Sequence, residues 1–179
     1  MESNIPETDK YISGLTDYYR EKLKNFQNTI NPVKLLEIGV DKGGGLFFFS
    51  RNLFTNAQFF GIDIIEPETL PPNTIFENIH QRDEEKLRKF AEKYGPFDIV
   101  IDDASHRVRE TKICLNIFWN HLNSFGWYFI EDWGVYKYQP TSLNEDFNKM
   151  ASELLFYWYR SLEIIYNSPP KFSVIAIQK

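Results

Sequence analysis

Three acidic stretches hold the residues best suited to chemistry. Residues 97–106 run Phe-Asp-Ile-Val-Ile-Asp-Asp-Ala-Ser-His, which sets two carboxylates, Asp102 and Asp103, just before the imidazole of His106. A second apolar run, 127–130, ends on Glu131-Asp132-Trp133, and a third, 33–36, leads into Glu37-Ile38-Gly39. Carboxylates gathered without cysteine suit a hard divalent ion with oxygen ligands, such as magnesium, calcium or manganese. Such an ion also relieves the mutual repulsion that would otherwise raise their pKa values. Asp103, Glu131 and Asp132 are the candidate metal ligands. His106 can take a proton from a hydroxyl near neutral pH, and a metal touching that hydroxyl would lower its pKa. His106 and Asp103 are therefore the candidate catalytic pair. The competing readings are a helix cap with a solvated histidine for Asp103 and His106, and an acidic loop start for Glu131-Asp132.

A second constellation lies at 33–63, where a short apolar run gives way to Gly39, then Asp41-Lys42-Gly43-Gly44-Gly45, a helical run, another apolar run and Asp63. Strand, glycine turn, helix, strand and acid make the first βαβ unit of a nucleotide-binding sheet. Glycine allows positive φ and close backbone approach to a ligand, and an acid at the second strand end can accept ribose hydroxyls. A dinucleotide calls for G-x-G-x-x-G and a helix N-terminus free for pyrophosphate. Here the spacing is G-x-x-x-G-G-G with Asp41 in that place, which an anionic phosphate does not favour. S-adenosylmethionine (SAM), whose sulfonium and ammonium tolerate acids, fits better. Glu37, Gly39, Gly43, Asp63, Gln81, Asp83 and Asp102 are the candidate cofactor residues, although Asp83 also reads as a plain helix N-cap.

These residues need a sheet to bring them together. The pattern predicts a helix over 15–27 and strands at 33–38, 57–62, 74–80, 97–103 and 127–130, with helices between them. An amphipathic helix over 144–160 and two closing strands at 162–166 and 172–177 follow. Two strands joined by the short 167–170 turn must be antiparallel. The expected fold is therefore α/β, a Rossmann-like seven-stranded SAM-methyltransferase sheet, mostly parallel with a C-terminal antiparallel hairpin and helices on both faces. In such sheets ligands sit beyond the carboxyl ends of the strands, where every candidate residue falls.

The 179 residues suit one domain, 1–179, with 1–31 as an N-terminal helical leader. A 42% hydrophobic and 17% aromatic content supports a packed core. A net charge of −5 argues against a nucleic-acid partner. The lone Cys114 suits a reducing compartment. No apolar run has the roughly 20 residues that span a bilayer, and the first 30 residues are too polar for a signal peptide. A cytoplasmic location is expected. A sheet edge or the N-terminal helix could support a homo-oligomer.

EIGVDKGG, GIDI, HQRD, FDIVIDDASH and GWYFIEDW occur in the order found in metal-dependent sugar O-methyltransferases. The chain from Thr8 onward, including Thr8-Asp9-Lys10-Tyr11 and Thr16-Asp17-Tyr18-Tyr19, resembles that family. It comprises the mycinamicin and rhamnosyl O-methyltransferases and a cephalosporin-hydroxylase-like group. The resemblance implies magnesium on Asp103, Glu131 and Asp132, with His106 as general base on a sugar hydroxyl of a small-molecule or glycan acceptor. It also implies a SAM pocket lined by Glu37, Gly39, Asp63, Gln81 and Asp83. Gly45 stands where the family usually has serine, Ala104 replaces a usual glycine, and the segment after Trp133 is short. The alternatives are a catalytically silent SAM-fold scaffold and a nicotinamide-dependent oxidoreductase.

Overall fold

The computed structural model describes residues 6–11, 14–27, 29–133, 149, 159–166 and 173–179. Most of the helix expected over 144–160 and the turn expected at 167–170 lie outside these residues.

The sheet has seven strands: β1 (Val33–Ile38), β2 (Ala57–Asp63), β3 (Thr74–Asn78), β4 (Phe97–Asp102), β5 (Leu122–Glu131), β6 (Ser161–Tyr166) and β7 (Ser173–Gln178). Their order is β3-β2-β1-β4-β5-β7-β6. The first five are parallel, and β7 runs antiparallel to both β5 and β6. The strand order reverses between β1 and β4, which places a crevice at their carboxyl ends.

The continuous apolar runs are explained by covering on both faces. Within each central strand, neighbouring residues enter opposite cores. Leu36, Phe60, Val100 and Tyr128 join Phe90 of α3 (Glu84–Tyr94) and Phe118 of α4 (Val108–Asn120) on one side. Leu35, Phe59, Ile99 and Phe129 join Tyr19 of α1 (Leu15–Lys22) and Phe49 of α2 (Gly44–Asn52) on the other. The high aromatic content is spent in these layers. Tyr19 meets Phe49 and Phe129 edge-on with centroids 5.0 Å apart, and Phe60 meets Phe97 at 5.2 Å. Each fully buried side chain of this size contributes about 1.5–3 kcal/mol of burial free energy.

Beside end shifts of one or two residues, such as β3 closing at Asn78 rather than at 80, two elements differ from expectation. The first helix stops at Lys22, and 24–26 continues as a tighter 3-10 turn after Leu23 leaves helical geometry at φ −99°, ψ 7°. The fifth strand starts at Leu122 rather than after a turn at 124–126. Its pairing with β4 slips between Phe97 and Ile99, and Phe125 takes φ +67°, so the expected turn survives as an irregularity inside a longer strand.

Candidate functional site

Beyond the ends of β1, β2 and β4 lies a cavity of about 640 Å³. Gly39, Asp63, Gln81 and Asp103 line it, with Ile64 and Ile65 on its rim. Its floor is backbone. Gly39 has φ +90°, and a Cβ there would stand 2.4 Å from Ala104 Cα and 2.5 Å from the Asp103 carbonyl oxygen. Only glycine lets β1 leave the sheet so close to the loop after β4. Asp63 accepts the Asp41 backbone N–H at 2.8 Å and the Ile64 N–H at 2.5 Å. Its carboxylate is thus fixed at the cavity wall by the glycine turn and by its own strand end.

The other expected cofactor residues stand behind this wall. Glu37 is 1% exposed and points into the space over Gly45, where a Cβ would come within 1.9 Å of Glu37 Oε1. This accounts for glycine at that position. Gly43, at φ +92°, caps α2 and packs on the Thr69 carbonyl, where a Cβ would stand at 2.6 Å. Asp102 is 2% exposed and turned inward, taking the Gln81 amide at 2.9 Å and the Tyr128 hydroxyl at 3.3 Å. Gln81 Oε1 in turn accepts the Ser105 N–H at 3.1 Å, tying the loop that carries Asp103 and His106 to the sheet. Asp83 is the N-cap of α3, accepting the Lys86 N–H at 3.1 Å, and it is not among the cavity-lining residues. Its position matches the cap reading.

At the ends of β4 and β5 the structure brings Asp103, His106 and Asp132 together, with one ligand atom from each lying within 4.8 Å of the others. His106 and Asp132 have φ of +53° and +50°. Left-handed backbone in two non-glycine residues of one cluster is the kind of cost that persists where the surroundings enforce it. His106 Nδ1 is buried without a hydrogen-bond partner among the described residues. Two carboxylate donors beside an unsatisfied imidazole suit a hard or borderline divalent ion.

Glu131, the third expected ligand, is engaged by two buried side chains. It is 3% exposed, its Oε2 lies 3.0 Å from Lys10 Nζ, and its Oε1 accepts the Tyr19 hydroxyl at 2.6 Å. Lys10 Nζ also lies 3.0 Å from Asp103 Oδ2 and 3.8 Å from Glu37 Oε1. Burial pushes Glu37 up to about 8 and Glu131 up to about 7, with the Lys10 ammonium pulling both the other way. For Lys10 itself burial acts downward, but the fields of Glu131, Asp103 and Glu37 outweigh it and hold the ammonium charged. Lys10 and Tyr19 went unassigned in the sequence. The available signal was a lysine and a tyrosine inside motifs shared with the resembled family. Trp133 is half-buried and donates its Nε1–H to the Ile165 carbonyl at 3.1 Å, so it is anchored against β6.

No protein-family model matches the sequence. Over 136 residues, 70% of this chain and 33% of the other, it is 33% identical to the mycinamicin VI 2''-O-methyltransferase of Micromonospora griseorubida. Over 113 residues, 59% of this chain and 29% of the other, it is 34% identical to an enzyme of Streptomyces olivaceus. That enzyme is the 8-demethyl-8-(2-methoxy-alpha-L-rhamnosyl)-tetracenomycin-C 3'-O-methyltransferase. This chain is related to the sugar O-methyltransferases. It spans about a third of the length of the curated relatives it matches. The fold is that of the MycE methyltransferase of the mycinamycin pathway, solved in complex with Mg, SAH and mycinamycin VI. The two agree at TM-score 0.75 and 23% identity over 99% of this chain and 54% of MycE. The seven-stranded, mostly parallel sheet with antiparallel closing strands thus has the fold of MycE.

Proposed function

We propose that this chain is a SAM-dependent, divalent-metal-dependent O-methyltransferase acting on a sugar hydroxyl of a glycosylated small molecule. The observation that carries this is the junction of the glycine-floored cavity and the Asp103–His106–Asp132 cluster, which meet at Asp103. The cavity fits the cofactor by its open backbone at Gly39 and its fixed acid at Asp63; Gly39, Asp63 and Gln81 would hold it. Asp103 and Asp132 would hold the metal, with Glu131 adjacent and engaged by Lys10 and Tyr19. When bound, SAM supplies the electrophilic methyl and the ion acidifies the acceptor hydroxyl.

The chain's own residues do the rest. Asp103 lines the cavity and belongs to the cluster, so it fixes the distance between the two sites. His106 takes the hydroxyl proton on its imidazole as the oxygen becomes a nucleophile. Gln81 and Asp102 brace the loop that carries both residues. The acceptor class is carried over from the relatives, and the net charge of −5 agrees with a small neutral acceptor rather than a nucleic acid. Among the described residues no helix is long and apolar enough to cross a membrane.

The test is methyl transfer from labelled SAM to a panel of rhamnosylated and other deoxysugar-bearing acceptors. Turnover should vanish on chelation and fall about 100-fold or more in His106→Ala. Full activity under either condition contradicts the mechanism.

A further inference from the structure

Lys10 enters the site from outside the sheet. Three contacts seat the segment that delivers it. Thr16 Oγ1 donates to the Lys10 carbonyl at 2.9 Å, and the Tyr11 hydroxyl accepts from Asn52 at 2.8 Å. A Cβ on Gly44 would lie 2.5 Å from the Glu7 carbonyl oxygen, so the segment lies directly on the start of α2. The ammonium, at 1% exposure, stands among three carboxylates.

A buried ion pair of this kind is weak evidence for stability, because desolvation offsets most of the attraction. The arrangement makes more sense as occupancy. Asp103 and Glu131, the two carboxylates Lys10 touches at 3.0 Å, lie beside the Asp132 and His106 donors. One ammonium does not saturate the group, since Glu37 Oε2 remains buried without a partner among the described residues. A divalent ion bound by Asp103 and Asp132 would therefore meet a resident positive charge on one of its own ligands. It could recruit Glu131 only against the hold of Lys10 and Tyr19.

We propose that Lys10 is a positioning residue that limits the strength of the metal centre, an internal ammonium that competes with the divalent ion for Asp103 and Glu131. The inference rests on the metal site of the proposed function. Its consequence has the opposite sign to that of a lost structural contact. Removing Lys10 should tighten metal binding, because the ion then no longer has to displace an ammonium that lies 3.0 Å from both Asp103 and Glu131.

The experiment is titration of the whole chain with Mn²⁺, reading free ion by electron paramagnetic resonance, with SAH affinity as an independent check on folding. Wild-type binding that Asp132→Asn weakens supports the metal site, and absence of wild-type binding overturns the site and the inference together. With binding established, Lys10→Met should bind Mn²⁺ on the order of tenfold more tightly. Lys10→Arg, which keeps the charge, should stay near wild type, and adding Glu131→Gln to Lys10→Met should remove most of the gain. Unchanged or weaker binding in Lys10→Met with SAH affinity intact overturns the inference while leaving the metal site standing. If Lys10→Met does not fold, Tyr19→Phe is read in its place. It frees one Glu131 oxygen while keeping the ring, and it should tighten binding by a smaller factor; unchanged or weaker binding there overturns the inference equally.

Discussion

Asp63 and Glu131 both end strands of one sheet, yet they serve opposite kinds of site. Asp63 borders an open cavity of about 640 Å³ and is held by backbone N–H groups from the glycine turn and from the next residue. Glu131 is buried and held by side chains 112 and 121 positions away, Tyr19 and Lys10. The cavity half of the crevice is thus preformed by local backbone geometry. The carboxylate half is completed by an N-terminal segment that folds across the strand ends. Local geometry fixes a shape for a ligand, whereas the distant contacts set a charge balance.

The comparison can be broken first at the backbone. Gly39→Val forces a branched side chain against Ala104 and Asp103 at a φ of +90°. SAH affinity should fall on the order of a hundredfold in calorimetry, beyond any effect of the charge-balancing residues. Binding near the wild-type level would show that the cavity floor is not rigid.

The brace between the halves comes next. Gln81→Leu removes a donor to the buried Asp102 carboxyl and the acceptor of the Ser105 N–H, and should cost about 1–3 kcal/mol in urea unfolding. An unchanged midpoint would mean that the loop bearing Asp103 and His106 holds itself.

A subtler change concerns Glu37. Its folded value of about 8 lies above its ordinary 4.5, through burial first and then Asp103 and Glu131, with Lys10 opposing. The native state therefore binds this proton more tightly than the unfolded chain. Stability should fall as pH rises between those two values. Glu37→Gln, which cannot ionise, should flatten that decline in thermal melts of the metal-free protein, and an unchanged slope would remove Glu37 from the charge balance.

Asp83→Ala should have the smallest effect. It removes the α3 cap, so thermal stability should drop slightly while SAH affinity stays at wild type. A large loss of SAH binding would move Asp83 from cap to cofactor pocket.

The half of the site made by local backbone was legible in the residues. The run from Val33 to Asp63 has one strand, turn and helix solution, and the double-sided apolar strands follow from parallel packing. The closing antiparallel strands were legible for the same reason, since so few residues between them permit nothing else. The strand start at Leu122 was hidden by Ser124-Phe125-Gly126, which reads as a turn unless the pairing partner is known. The hold of Lys10 and Tyr19 on Glu131 was hidden more deeply. No local period encodes a contact across more than a hundred residues, and a lysine in a polar leader reads as solvated. The resemblance named the right motifs around both residues without saying what they touch.

The most direct measurement is calorimetric titration of the purified chain with SAM and with SAH, each with and without magnesium, using Asp63→Ala as control. Binding of both ligands by wild type, weakened about 10- to 100-fold in Asp63→Ala through loss of charge-assisted hydrogen bonds, is the predicted result. No binding of either ligand under any condition would contradict the assignment of this cavity to SAM, and with it the proposed methyl transfer.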